Sequence, residues 1–308
     1  MANRLKKSEY LLTYMIIITL ACFVGGFFLG AGVMKSKMEA EYAQAAELEK
    51  EKERNEALKK EQRLYKESDF VSFYYNAYLP LQAFKDDHLY YAANLQGKSK
   101  TEQLALSREM KKKVAAKLKE VEKGTVPTTS PLLVESKQKY LVSLASYQEG
   151  LDRILDDVTG VSFSAADIAA QNHLSDFKNH WLLAQTTMYK AIAVWEEMYV
   201  TKRPMPKANI QTLSIPLWKS YPYHYKNYLL SDHLRKSQEV ARYNPEDLAA
   251  RIDSVIKANK ESSLGWKDIP FAINAITLTD AVHAGDFKEL RAKLYQGLKT
   301  PEIPLFTD

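Results

Sequence analysis

Three apolar seams run through the middle of this chain, and each keeps the same spacing. Phe70, Tyr74, Ala77, Leu81, Phe84, His88, Tyr91 and Leu95 follow one another in alternating steps of four and three. Tyr140, Leu144, Tyr147, Leu151, Ile154 and Val158 do the same, and so do Ala170, Leu174, Phe177, Trp181, Ala184, Met188, Ala191, Trp195 and Met198. That step is close to one helical turn, so each set lines one side of a helix and must be buried against other helices. A shorter stripe, Leu106, Met110, Val114, Leu118 and Val121, marks a lysine-rich helix between the first two. The connections at 96–98, 124–129 and 159–163 are short, which makes consecutive helices antiparallel neighbours. Residues 68–200 are therefore predicted to form an up-down-up-down four-helix bundle.

Local signals agree with this division. Ser99 with Glu102 makes a capping box, Ser130 precedes an N1 proline at Pro131, and Ser164 with Asp167 repeats a weaker cap. Pro80 is the exception. It removes a backbone donor inside the first helix, where a kink is expected.

Ahead of the bundle lies a segment of another kind. Tyr10–Met34 carries no charge in 25 residues. As a helix it would span about 37 Å at 1.5 Å per residue, more than the ~30 Å of a bilayer's hydrocarbon core. The apolar run is too long for a cleaved signal peptide, and Thr19 stands where a lipoprotein signal before Cys22 would have an aliphatic. An uncleaved transmembrane anchor over 10–34 is expected, behind a short basic tail at 1–9. Keeping that tail inside places the long C-terminal part outside the cytoplasm. Cys22, Gly26 and Gly30 form a small-residue stripe suited to close packing of two membrane helices, hence to a homodimer.

Residues 35–67 change to Glu, Lys, Ala and Gln, without Gly or Pro. Opposite charges recur at helical spacing, as in Glu56 with Lys59 and Lys60. Met38, Tyr42 and Ala45 begin a coiled-coil seam, but Glu49 and Lys52 then fall on it. The segment is read as a charged helical stalk, reaching roughly 50 Å if continuous.

Beyond Pro204 and Pro206 a second, smaller helical region fills 201–308. Helices are expected at about 214–243, at 245–260 behind the Asn244-Pro245-Glu246-Asp247 cap, at about 268–284 and at 286–298. No stretch alternates at period two, so the fold class is all-α throughout.

The chemistry that composition permits is narrow. Cys22 is the single cysteine and lies in the apolar segment, so the rest of the chain has no disulfide, thiolate metal ligand or thiol nucleophile. A net charge of +5 from 43 basic and 38 acidic residues is too mild and mixed to indicate nucleic acid. His173, Asp176 and His180 share a helical face, but a pair of histidines flanking an apolar seam is better read as packing than as a metal site. His88 sits on a seam as a core histidine. The lysines at 111–113, with Lys117 and Lys119, are read as a solvated face. No catalytic residue, metal site or cofactor is expected.

One segment stands out in composition. Trp218, Tyr221, Tyr223, Tyr225 and Tyr228 crowd into eleven residues. Aromatics with polar tips can line a groove for a peptide or a sugar chain, or wedge a helix start between two helical layers. The expected function is a membrane-anchored, extracytoplasmic helical protein that binds proteins or envelope components without catalysis. The alternatives are a sensory bundle taking a small ligand, and an envelope polymer-acting enzyme.

Overall fold

The computed structural model describes residues 64–159 and 172–307, together with 14–16, 18–20 and 22. Met1–Gln62 and Arg63–Asp308 are separate compact units. Among the described residues every regular element is helical, as the sequence predicts, and no helix is long and apolar enough to cross a membrane. The structure thus gives no support to a spanning helix at 10–34. Apart from residues 14–16, 18–20 and 22, which are helical with Cys22 exposed, that segment lies outside the described residues. So do Gly26, Gly30 and the stalk up to residue 63.

In the second unit, α1 (Glu67–Phe73) passes through a π-helical segment (Tyr74–Tyr78) into α2 (Leu79–Leu95). Next come α3 (Lys100–Lys123), α4 (Pro131–Thr159) and α5 (Ser175–Trp195). Cross-helix hydrogen bonds and ion pairs give the directions. On α2 and α3, Asp87 meets Lys113 and Tyr91 meets Ser107. On α3 and α4, Lys111 meets Asp152, while Lys137 reaches the Glu122 carbonyl. On α4 and α5, Ser136 reaches the Ala184 carbonyl and Ser143 that of Phe177. In each pair one number rises as the other falls, so each helix runs antiparallel to the next.

The seams are the core. Phe84, Tyr147, Phe177 and Trp181 pack ring against ring at centroid distances of 4.7–6.0 Å. His88 joins them, its Nδ1 3.1 Å from the Tyr147 hydroxyl. Burial, with Lys178 nearby, lowers its pKa to about 4, so the ring is neutral at pH 7.

Pro80 does interrupt the first helix, in a specific way. It has no N–H to offer the Asn76 carbonyl four residues back. The wider π segment just before it absorbs the defect, with Leu79 N–H reaching back five residues to Tyr74. Gly124 packs onto the Asn76 carbonyl. A Cβ there would collide with that oxygen and sit 2.8 Å from the Asn76 Cβ. The Asn76 amide meanwhile donates to the Thr125 carbonyl at 3.0 Å.

Ser99 and Glu102 form the expected capping box. The Ser130 hydroxyl behaves differently. It donates to Asp69 at 2.8 Å, tying the start of α4 to α1.

The C-terminal part departs from expectation in one helix. The stretch 214–243 is divided into α6 (Ile215–Ser220) and α7 (Tyr223–Lys236). Pro222 forces Tyr221 into an extended conformation, ψ 145°, which a helix cannot continue through. α8 (Pro245–Lys257), α9 (Ile269–Leu278) and α10 (Asp286–Leu294) follow, each shorter than predicted. α7, α8 and α9 each end on a residue in the left-handed region, Gln238, Asn259 and Asp280. Beyond each, the next amide bonds back to the helix. α7 lies along α5, where Thr186 donates to the Ser231 carbonyl at 3.1 Å. Buried side chains from 65–200 and from 201–306 form one continuous hydrophobic cluster.

Candidate functional site

Where α5 ends, the chain stays helical but widens into a second π segment, Glu196–Thr201, and stops at Lys202 with φ 51°. It then runs through Arg203, Pro204, Met205 and Pro206 before turning back into α6. π turns are rare and often occur at functional positions. This one brings Glu196 to the start of α7 and Glu197 to the proline loop.

Glu196 is buried, and both its oxygens are engaged. Oε1 accepts the His224 amide at 3.2 Å, and Oε2 accepts the Tyr225 amide at 3.0 Å. α7 begins behind Pro222, which has no side-chain acceptor, so its N-terminal N–H groups are capped by a residue 26 positions earlier in the chain. Burial raises the Glu196 pKa to about 7, against the pull of those amides and of Lys226. Glu197 faces the other way and accepts the Met205 amide on Oε2 at 3.1 Å. The Tyr225 hydroxyl donates to the Pro206 carbonyl, fastening the proline loop to α7.

Between the π segment, the proline loop and the 220–225 turn lies an open cavity of about 700 Å³. Glu196, Glu197, Arg203, Tyr221, Tyr223 and Tyr225 are among its walls. The rings of Tyr221 and Tyr225 stand at 74° with centroids 5.4 Å apart. A second cavity, of about 480 Å³, opens on the other side of Tyr221 and Tyr223. There Asp253 accepts from Trp218 Nε1 at 2.6 Å, from Tyr295 at 2.8 Å and from Lys226 at 3.1 Å. Lys226 also lies 5.0 Å from the Trp218 ring centre.

The aromatic cluster is therefore divided among several environments. Tyr221 and Tyr223 line both cavities, and Tyr225 lines the first. Trp218 is fully buried and braces Asp253 from below. Tyr228 lines neither cavity.

Sequence reasoning missed the buried carboxylates. Glu196 follows Trp195 on the seam, and no local sign distinguishes it from a solvated residue. Glu246 lies in a recognisable helix cap, yet it is buried, accepts the Tyr189 hydroxyl, and has its pKa raised to about 8 by burial and by Asp247. Lys85, also buried, donates nearby to Asn244 at 2.9 Å. Asp247 caps α10 by accepting the Gly285 and Phe287 amides, each at 3.1 Å.

The remaining sequence candidates fall on the bundle. His180 Nδ1 lies 2.8 Å from the Asp176 carbonyl of its own helix. Among the described residues no group of three or more His, Cys, Asp or Glu is placed to hold a metal ion. Lys111, Lys113 and Lys117 pair with Asp152, Asp87 and Glu120. Comparison of the chain with known protein families, with curated proteins and with solved structures finds no match.

Proposed function

We propose that this chain is a tethered, non-enzymatic binding protein that takes a protein partner in the cavity beside Tyr221. In this reading residues 10–34 anchor it in a membrane, 35–67 form the stalk, and the helical unit works outside the cytoplasm. The anchor and its orientation rest on the sequence alone. The observation that carries the binding role is the cavity of about 700 Å³ at the π-helical end of α5, within the usual size range of ligand sites.

Two features favour binding over catalysis. The buried carboxylate in the wall accepts an α7 amide on each oxygen, so capping that helix accounts for its placement without a catalytic role. No histidine or cysteine lines the cavity to act as a base or nucleophile. The sensory alternative would place a ligand within the bundle, where close ring packing among Phe84, Tyr147, Phe177 and Trp181 fills the middle.

A photo-crosslinking residue placed at Tyr221 in intact cells tests the proposal. The control position is Tyr75, which is exposed on the first helix and lines neither cavity. A discrete adduct from position 221 and none from 75 is expected. Equal labelling at both positions, or none at 221, would overturn it.

A further inference from the structure

We propose that the cavity beside Tyr221 receives a lysine side chain of the partner protein, its ammonium held between Glu197 and the Tyr221–Tyr225 corner. This rests on the binding role argued above and adds the chemistry of what is bound.

Glu197 is the cavity's available carboxylate. Glu196 beside it is committed to the start of α7, whereas Glu197 uses only Oε2, on the Met205 amide. Among the described residues its Oε1 has no ion-pair partner. A carboxylate with one open oxygen suits a compact ammonium better than the two-pronged guanidinium of arginine, which pairs best with both oxygens. In the wall of the same cavity, the Tyr221 and Tyr225 rings meet at 74°. Two aromatic rings set near a right angle present negative π-faces to an enclosed cation, the arrangement used to recognise alkylammonium groups. Pro204, Met205 and Pro206 supply an apolar wall along which a four-carbon stem can lie.

Charge decides the sign of the ligand. Glu196 offsets the partial positive charge of the α7 N-terminus, which is equivalent to roughly half a unit. Arg203 is the one lining residue that opposes a cation, and it is exposed at the rim. The Glu197 carboxylate and the partly exposed Tyr221 ring, with Tyr225 buried beside it, are thus what an entering group meets.

The test uses the full-length protein in detergent, labelled with 3-fluorotyrosine. The Tyr221 signal is assigned by its loss in Tyr221→Phe. Three probes are titrated: Nα-acetyl-lysine methylamide and its arginine and norleucine counterparts. The lysine probe should shift the Tyr221 resonance saturably, with weaker binding by arginine and none by norleucine. Glu197→Gln, which keeps an acceptor for the Met205 amide, should weaken lysine binding at least tenfold. Arg203→Ala should strengthen it. Equal shifts from lysine and norleucine would overturn the inference while leaving the cavity as a binding site of apolar preference. Absence of any saturable shift, or wild-type affinity in Glu197→Gln, would also overturn it. The crosslinking result at Tyr221 stands apart from all of these outcomes.

Discussion

Replacing Glu246 by glutamine should make the helical unit more stable at neutral pH. Glu246 is the second residue of α8 and only 3% exposed. The Tyr189 hydroxyl and the charge of Lys85 pull its pKa down, but burial and Asp247 outweigh them and raise it from 4.5 to about 8. The unfolded chain thus releases this proton near pH 4.5, while the folded chain keeps it until about pH 8. Between those values the native state binds the extra proton, so stability falls as pH rises. The full loss is about 5 kcal/mol, at about 1.36 kcal/mol per factor of ten, and roughly 3 kcal/mol of it has accrued by pH 7. Glutamine mimics the protonated form and can still accept from Tyr189. Glu246→Gln should therefore be up to about 3 kcal/mol more stable than the parent at pH 7.

The difference between parent and variant from pH 7 to 8.5 isolates this group. Glu196 shifts stability in the same direction and, with its pKa near 7, is only half titrated at pH 7, so it adds the same smaller loss to parent and variant. His88 and His224, lowered by burial to about 4 and about 3, act in the opposite direction, and only below the ordinary histidine value of 6.5. Urea unfolding of a 63–308 fragment, followed by far-UV circular dichroism, gives the comparison. The parent should lose roughly 1 kcal/mol more than Glu246→Gln between pH 7 and 8.5, the variant keeping only the smaller loss from Glu196. Parallel curves over that window, or a variant less stable at pH 7, would refute the reasoning.

Three further outcomes are expected. Trp181→Ala should destabilise the same fragment by about 3–5 kcal/mol, because the ring is 1% exposed among Phe84, Tyr140 and Phe177; an unchanged urea midpoint would count against the bundle core. Gly124→Ala should cost about 1–3 kcal/mol by the same measurement, since the added methyl meets the Asn76 backbone, which Pro80 prevents from moving into a regular helix. Protease added to intact spheroplasts should remove the 63–308 unit, and protection until lysis would place it in the cytoplasm instead.

The helices and their buried faces were legible because that information is periodic and local. Every residue of the three seams whose side chain is described is buried except Tyr74 and Met198, for which partial burial against the core suffices. Caps at Ser99 and Asn244 act within four residues of themselves and could be read the same way. The break at Tyr221–Pro222 is also local, set by the proline at 222 inside the stretch expected to be one helix. Its consequence was larger than its size, since that break is what turns Tyr221 toward both cavities.

The cavity itself was not legible. The aromatic cluster drew attention to the right stretch of chain, but an uninterrupted run of tyrosines does not indicate which rings face a cavity and which brace the core. That depends on α5 ending in a π turn, on the proline loop folding back, and on the Glu196 carboxylate meeting the amides of a helix that starts 27 residues later. The burial of Glu196, Glu246 and Lys85 has the same origin. Alone, each would be a solvated charge; packed against a distant helix, each loses water and gains one or two specific partners. Sequence by itself determined the helices and their apolar faces, because a repeat every three or four residues is enforced by backbone geometry within a single turn. Tertiary structure alone decided which charges were taken from water, because desolvation is imposed by elements far away in the chain.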